Sequence, residues 1–69
     1  MDQALINFIL ATLDDNKGIS GDALDALRAL QSTDKATSEA IEDILNQVDG
    51  CEGRYYLPDP VIDQYRNEL

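Results

Sequence analysis

The side chains of this sequence best placed to do chemistry are a run of carboxylates and one thiol. Glu39, Glu42 and Asp43 stand at i, i+3 and i+4 in the stretch SEAIEDILNQVD, with Asn46 a turn further on and Asp49 beyond it. On a helix that spacing puts the first four on one face. Carboxylates so grouped can share a proton or hold a hard cation. The chain has no histidine, however, and so lacks the commonest general base and the commonest metal ligand together. Cys51 is its only cysteine, which leaves no internal disulfide and no thiolate set for structural zinc. A single free thiol suits a reducing cytoplasm, and with Arg54 as its one basic neighbour Cys51 reads as unreactive. The expectation is a non-enzymatic protein with no cofactor and no metal.

Two local motifs lack the residues their chemistry needs. The stretch SGDALDAL, from Ser20, invites comparison with acyl carrier proteins, whose prosthetic group hangs on a serine within Asp-Ser-Leu at the head of the second helix. Here the corresponding triplet is Asp22-Ala23-Leu24, and alanine offers no hydroxyl. Ser20 itself reads as a helix cap. The preceding DDNKGISGDAL has the flavour of a calcium loop. With Ile19 placed at the eighth loop position, the sixth is Lys17 where glycine is needed, and the twelfth is Ala23 where a bidentate glutamate belongs.

Charge is the strongest overall signal. Fourteen acidic residues against five basic ones leave a net charge of −9 on 69 residues. Such a field repels nucleic acid and anionic lipid, so no direct nucleic-acid or membrane binding is expected. It also draws the protein towards a basic surface on another protein, of the kind that holds nucleic acid. Acidity equally keeps a small protein soluble without any partner. The terminus Met1-Asp2-Gln3 carries no basic residue, and the apolar run from Ala4 to Leu13 is half of the roughly 20 residues a membrane span needs. Neither a signal peptide nor an anchor is expected, and the compartment expected is the cytoplasm.

The elements that must carry these residues read as helices. In ALINFILATL, Leu5, Phe8 and Ile9 share one face while Ile6, Leu10 and Leu13 extend it. So wide an apolar surface predicts a helix surrounded by others, or one shared with a second chain. It should end near Asp15, before the turn formers up to Gly18. A second helix, capped by Ser20, buries Leu24, Leu27, Leu30, Ala23 and Ala26. A third, capped by Thr37 or Ser38, buries Ala40, Ile41, Ile44, Leu45 and Val48 and stops at Gly50. After the extended or turning segment CEGRYYLPDP, the pair Asp59-Pro60 starts a last helix using Val61, Ile62, Tyr65 and Leu69. Residues 1–69 therefore predict one small acidic all-α domain, a compact bundle of three to four short helices.

Arg54, Tyr55 and Tyr56 form the remaining candidate contact group, since Arg and Tyr dominate binding energy at many interfaces. Tyr55-Tyr56-Leu57-Pro58-Asp59-Pro60 is similar to a segment of the small acidic four-helix immunity proteins that neutralise nuclease bacteriocins. These carry Tyr-Tyr-Pro on a short third helix ahead of a Pro-led fourth. That resemblance implies that Tyr55 and Tyr56 anchor a partner while the carboxylates of the third helix meet a basic nuclease. A leucine separates the tyrosines from the proline here, and the chain is shorter than that family's.

The expected function is thus a protein-binding module, an inhibitor or regulator that covers a basic, nucleic-acid-binding surface of its partner. Its general character is that of inhibitors carried by phages and mobile elements, such as anti-CRISPR and anti-restriction proteins. The expected contact residues are Glu39, Glu42, Asp43, Asn46, Asp49, Arg54, Tyr55 and Tyr56. The alternatives are an immunity-protein-like neutraliser of a nuclease toxin and a self-associating structural protein that forms a homodimer through its first helix.

Overall fold

The computed structural model describes residues 1–30 and 32–66. Its elements run α1 (Gln3–Thr12), α2 (Gly21–Arg28), α3 (Lys35–Asn46), β1 (Asp49–Cys51), β2 (Arg54–Tyr56) and α4 (Asp59–Tyr65). The four helices were expected, and the hairpin was not: the fold is mostly helical with a small antiparallel hairpin rather than all-α.

The core takes one stripe from each helix. Ile6, Ile9, Leu10 and Leu13 meet Leu24 and Leu27, Ala40, Ile41, Ile44 and Leu45, then Leu57 and Ile62. Two phases differ from the sequence expectation. In α1 the inward face is centred on Ile6, Ile9 and Leu10, and Phe8 is 59% exposed. In α2, Ala26 and Leu30 are exposed while Leu24 and Leu27 are buried. Ala26 faces away from the core between the two leucines, and Leu30 lies beyond the end of α2. Leu69 lies outside the described residues.

The caps explain where the helices begin. Asp2 accepts from the Leu5 N–H and Ser20 from the Ala23 N–H, as N-caps do. The third helix starts earlier than its threonine and serine indicate, because Asp34 caps it and accepts from the Thr37 N–H at 3.2 Å. Thr37 is thereby freed for another task. Its side chain is fully buried, its hydroxyl donates to the Asp34 carboxylate, and it accepts from the Asp2 N–H at 2.6 Å. One buried hydroxyl thus ties the start of α1 to the start of α3. The bond from Thr37 holds the Asp34 carboxyl below its usual range. In α4, Pro58 rather than Asp59 occupies the cap position, with Asp59 in the first turn and proline following.

The helix ends were expected later than they fall. Helix α1 closes at Thr12 with Leu13 as its cap, and α3 closes at Asn46 with Gln47 as its cap rather than at Gly50. Gly50 instead sits in β1 opposite Tyr55. The hairpin loop is Glu52-Gly53, at φ 52° and 81°, the two positive values that a type I′ turn requires. On its far side β2 continues into a two-way bridge: Ile19 donates to Tyr55 at 2.7 Å and Tyr55 donates to Ile19 at 2.8 Å. Next along, the Leu57 N–H donates to the Leu13 carbonyl at 2.6 Å. The α1–α2 connection is thereby stitched to the α3–α4 connection.

Candidate functional site

The eight candidate contact residues fall into two groups, one on α3 and one on the hairpin. On α3, Glu39, Glu42, Asp43 and Asn46 are all exposed, as their spacing implied. Glu39 makes only a loose i, i+4 pair with Lys35 at 4.0 Å, both side chains being well exposed, and such pairs contribute little. Asp43 is already occupied. It accepts from the Tyr65 hydroxyl of α4 and from Gln47 Nε2 at 3.1 Å. Hydrogen bonding to this carboxylate, with some loss of hydration and its negative charge, pushes the Tyr65 phenol up to about 12. Asp43 thus fastens α4 to α3, which leaves Glu39 and Glu42 as the freer carboxylates.

Beside them runs a groove of about 460 Å³ between the end of α2 and α3. Ile41 and Leu45 line it, with Leu30, Arg28, Glu42 and Asn46. Its size is in the range of pockets that accept a side chain or a small ligand. Asn46, the last residue of α3, is the one sequence candidate besides Glu42 to border this groove. Asp49 is not part of this helix face, because it lies in β1 opposite Tyr56.

The hairpin group serves the fold more than the surface. Arg54 Nη2 donates to the carbonyls of Lys17 and Gly18 at 2.8 and 2.9 Å. It therefore clamps the turn in which Gly18 adopts φ 62°. The Tyr55 ring is half-buried against the core and lies so close over Gly50 that a Cβ there would stand 2.9 Å from Tyr55 Cε1. On its other edge, a Cβ on Gly21 would come within 3.6 Å of Cε2. The two glycines make the slot that holds the ring. Tyr56 points to the opposite face of the hairpin, as neighbours on a strand must, and is half-buried. The tyrosines sit on a strand and not on a short helix, unlike those of the immunity proteins.

A third acidic group escaped the sequence reading. At the junction of α1 and α4, the Asp15 carboxyl is raised above its usual range by loss of hydration and then by the carboxylates of Asp59 and Asp14. Asp15 and Asp59 are far apart in sequence, and the Leu13–Leu57 hydrogen bond is what brings their neighbourhoods together. Among the described residues no group of acidic or cysteine side chains is arranged to hold a metal, and no helix is long and apolar enough to cross a membrane.

No protein-family model, curated protein or solved structure matches this chain.

Proposed function

We propose that this protein is a non-enzymatic binding module that inhibits or regulates a partner by covering a basic, nucleic-acid-binding surface. The observation that carries the reading is how little of the acidity is neutralised within the fold. Among the described residues the ion pairs are only two, the N-terminal ammonium with Asp34 and Lys35 with Glu39. Arg54, one of five basic residues, spends its guanidinium on backbone carbonyls.

The face of α3 is where such a partner would seat. Glu39 and Glu42 supply steering and charge complementarity, and the adjoining groove over Ile41 and Leu45 takes an apolar side chain, which supplies affinity. The carboxylates then stand where phosphates otherwise bind. A cytoplasmic setting fits the exposed free thiol of Cys51. Inhibitors carried by phages and mobile elements are the class whose general character is nearest.

The test is capture from a host lysate with the tagged protein, washed at rising salt, with bound proteins identified by mass spectrometry. The reading expects a nucleic-acid-binding protein that high salt releases and that Glu39→Gln with Glu42→Gln fails to retain. Equal retention by the double variant would move the contact elsewhere.

A further inference from the structure

A second surface of the molecule points to a different occupant. Helix α1 contains no charged residue from Gln3 to Thr12, in a chain whose net charge is −9. Its inner face is spent on the core. Its outer face, Ala4, Asn7, Phe8 and Ala11, is exposed throughout and repeats the i, i+3, i+4, i+7 spacing of a helix-packing stripe. Phe8, at its centre, is 59% exposed. Uncharged on both faces, α1 has the composition of a helix packed on two sides, and the monomer covers only one.

We propose that this outer face pairs with the same face of a second copy, in a two-fold antiparallel dimer centred between Asn7 and Phe8. Two features on the page select a second copy. The first is self-complementarity of shape: about that centre Ala4 faces Ala11 of the other copy and Phe8 faces Asn7. The alanines let the two helices approach closely while each ring fills the space beside the other's small residues. The Asn7 Oδ1 already accepts from Gln3 Nε2 at 3.0 Å, and the two N–H groups of its amide are left to donate to water or across the pair at its rim. The second is charge. Copies meeting through α2 or α3 would press carboxylates against carboxylates, whereas α1 offers a face without any.

The ends of the pair set its salt dependence. Antiparallel packing brings Asp2 of one copy towards Asp14 and Asp15 of the other, and the whole molecules repel as like charges. Screening this repulsion tightens the dimer, and salt also strengthens apolar burial. A ten-residue helix covers well under the roughly 800 Å² per partner of a tight complex. The dimer is accordingly weak and concentration-dependent.

Sedimentation velocity of the full chain over a range of concentrations, in about 0.01 M and about 1 M salt, tests this. The wild type is expected to shift from monomer towards dimer with concentration, and more so in the high salt. Phe8→Glu is expected to weaken the dimer at least about thirtyfold, the effect of losing a central aromatic anchor, with helical circular dichroism unchanged. Ala11→Gln, which adds bulk without charge, is expected to weaken it too and decides the matter should Phe8→Glu unfold the chain. A wild type that stays monomeric at every concentration in high salt overturns the proposal. So does a dimer indifferent to both variants, or one that salt dissociates.

Discussion

Helices α1 and α3 both give one face to the same core, but their outer faces differ in kind. That of α3 carries Glu39, Glu42 and Asp43 and borders a groove; that of α1 carries alanines, an asparagine and an exposed phenylalanine. The difference teaches that the −9 charge is arranged as well as accumulated. The association proposed through α3 is expected to weaken as salt rises, and the one proposed through α1 to strengthen. The two proposed contacts are therefore separable by a single variable, ionic strength.

The sharpest way to break the contrast is to confuse the inner and outer faces of α1. Ile6 is fully buried, so Ile6→Ala should cost about 2–5 kcal/mol, a large part of what a domain of this size possesses. Phe8→Ala should change monomer stability by no more than about 0.5 kcal/mol. Chemical denaturation of dilute samples compares them, and a large loss from Phe8→Ala would place that ring in the core.

Next in size is the contact that lets α3 present its carboxylates at all. Thr37→Val keeps the shape but leaves the Asp2 N–H without its partner, at a cost of about 1–3 kcal/mol, and takes the hydroxyl bond from the Asp34 carboxylate, which keeps the Thr37 N–H and the N-terminal ammonium. Because bonding to Thr37 lowers the Asp34 pKa, part of the wild-type stability is present above the ordinary carboxylate range and lost as pH falls through the lowered value. Acid denaturation of Thr37→Val should show less of that loss. An unchanged acid limb would remove Asp34 from the explanation.

At alkaline pH the α3–α4 fastening is the sensitive part. The Tyr65 phenol is raised to about 12, so the stability it contributes is complete below its ordinary value near 10 and is lost as pH rises through about 12. Tyr65→Phe should flatten this alkaline limb in a pH series of thermal melts. The smallest effect concerns Asp15, whose carboxyl is raised by lost hydration and by Asp59 and Asp14. Asp15→Asn should slightly raise the melting temperature near neutral pH, and a lower one would mean that its charge serves a bond the repulsion conceals.

Much of this was legible in the sequence where periodicity was unambiguous. The α3 stripe of Ala40, Ile41, Ile44 and Leu45, set between polar residues, fixed both its buried side and the exposure of Glu39 and Glu42. The phase of α1 was not legible for the reason that makes it interesting: a helix with no charged residue and apolar residues on every side gives little to fix its rotation, so Phe8 could be assigned inward. Asp34 could have been found as the cap of α3, since aspartate ahead of a helical run is as good a signal as threonine or serine. The hairpin strands have only three residues each, too few for alternation to register, and Gly50 resembled a helix terminator when its role is to admit the Tyr55 ring. The Asp43–Tyr65 bond joins residues 22 apart and left no local trace.

The measurement that tests the central claim most directly is a competition. The protein captured on a solid support with its partner is challenged with added nucleic acid at constant ionic strength, and released partner is compared with a neutral-polymer control. If the carboxylates of α3 occupy a phosphate-binding surface, nucleic acid releases the partner, and less of it is needed for the milder single variant Glu39→Gln. A partner that stays on the protein while binding nucleic acid at the same time would contradict it.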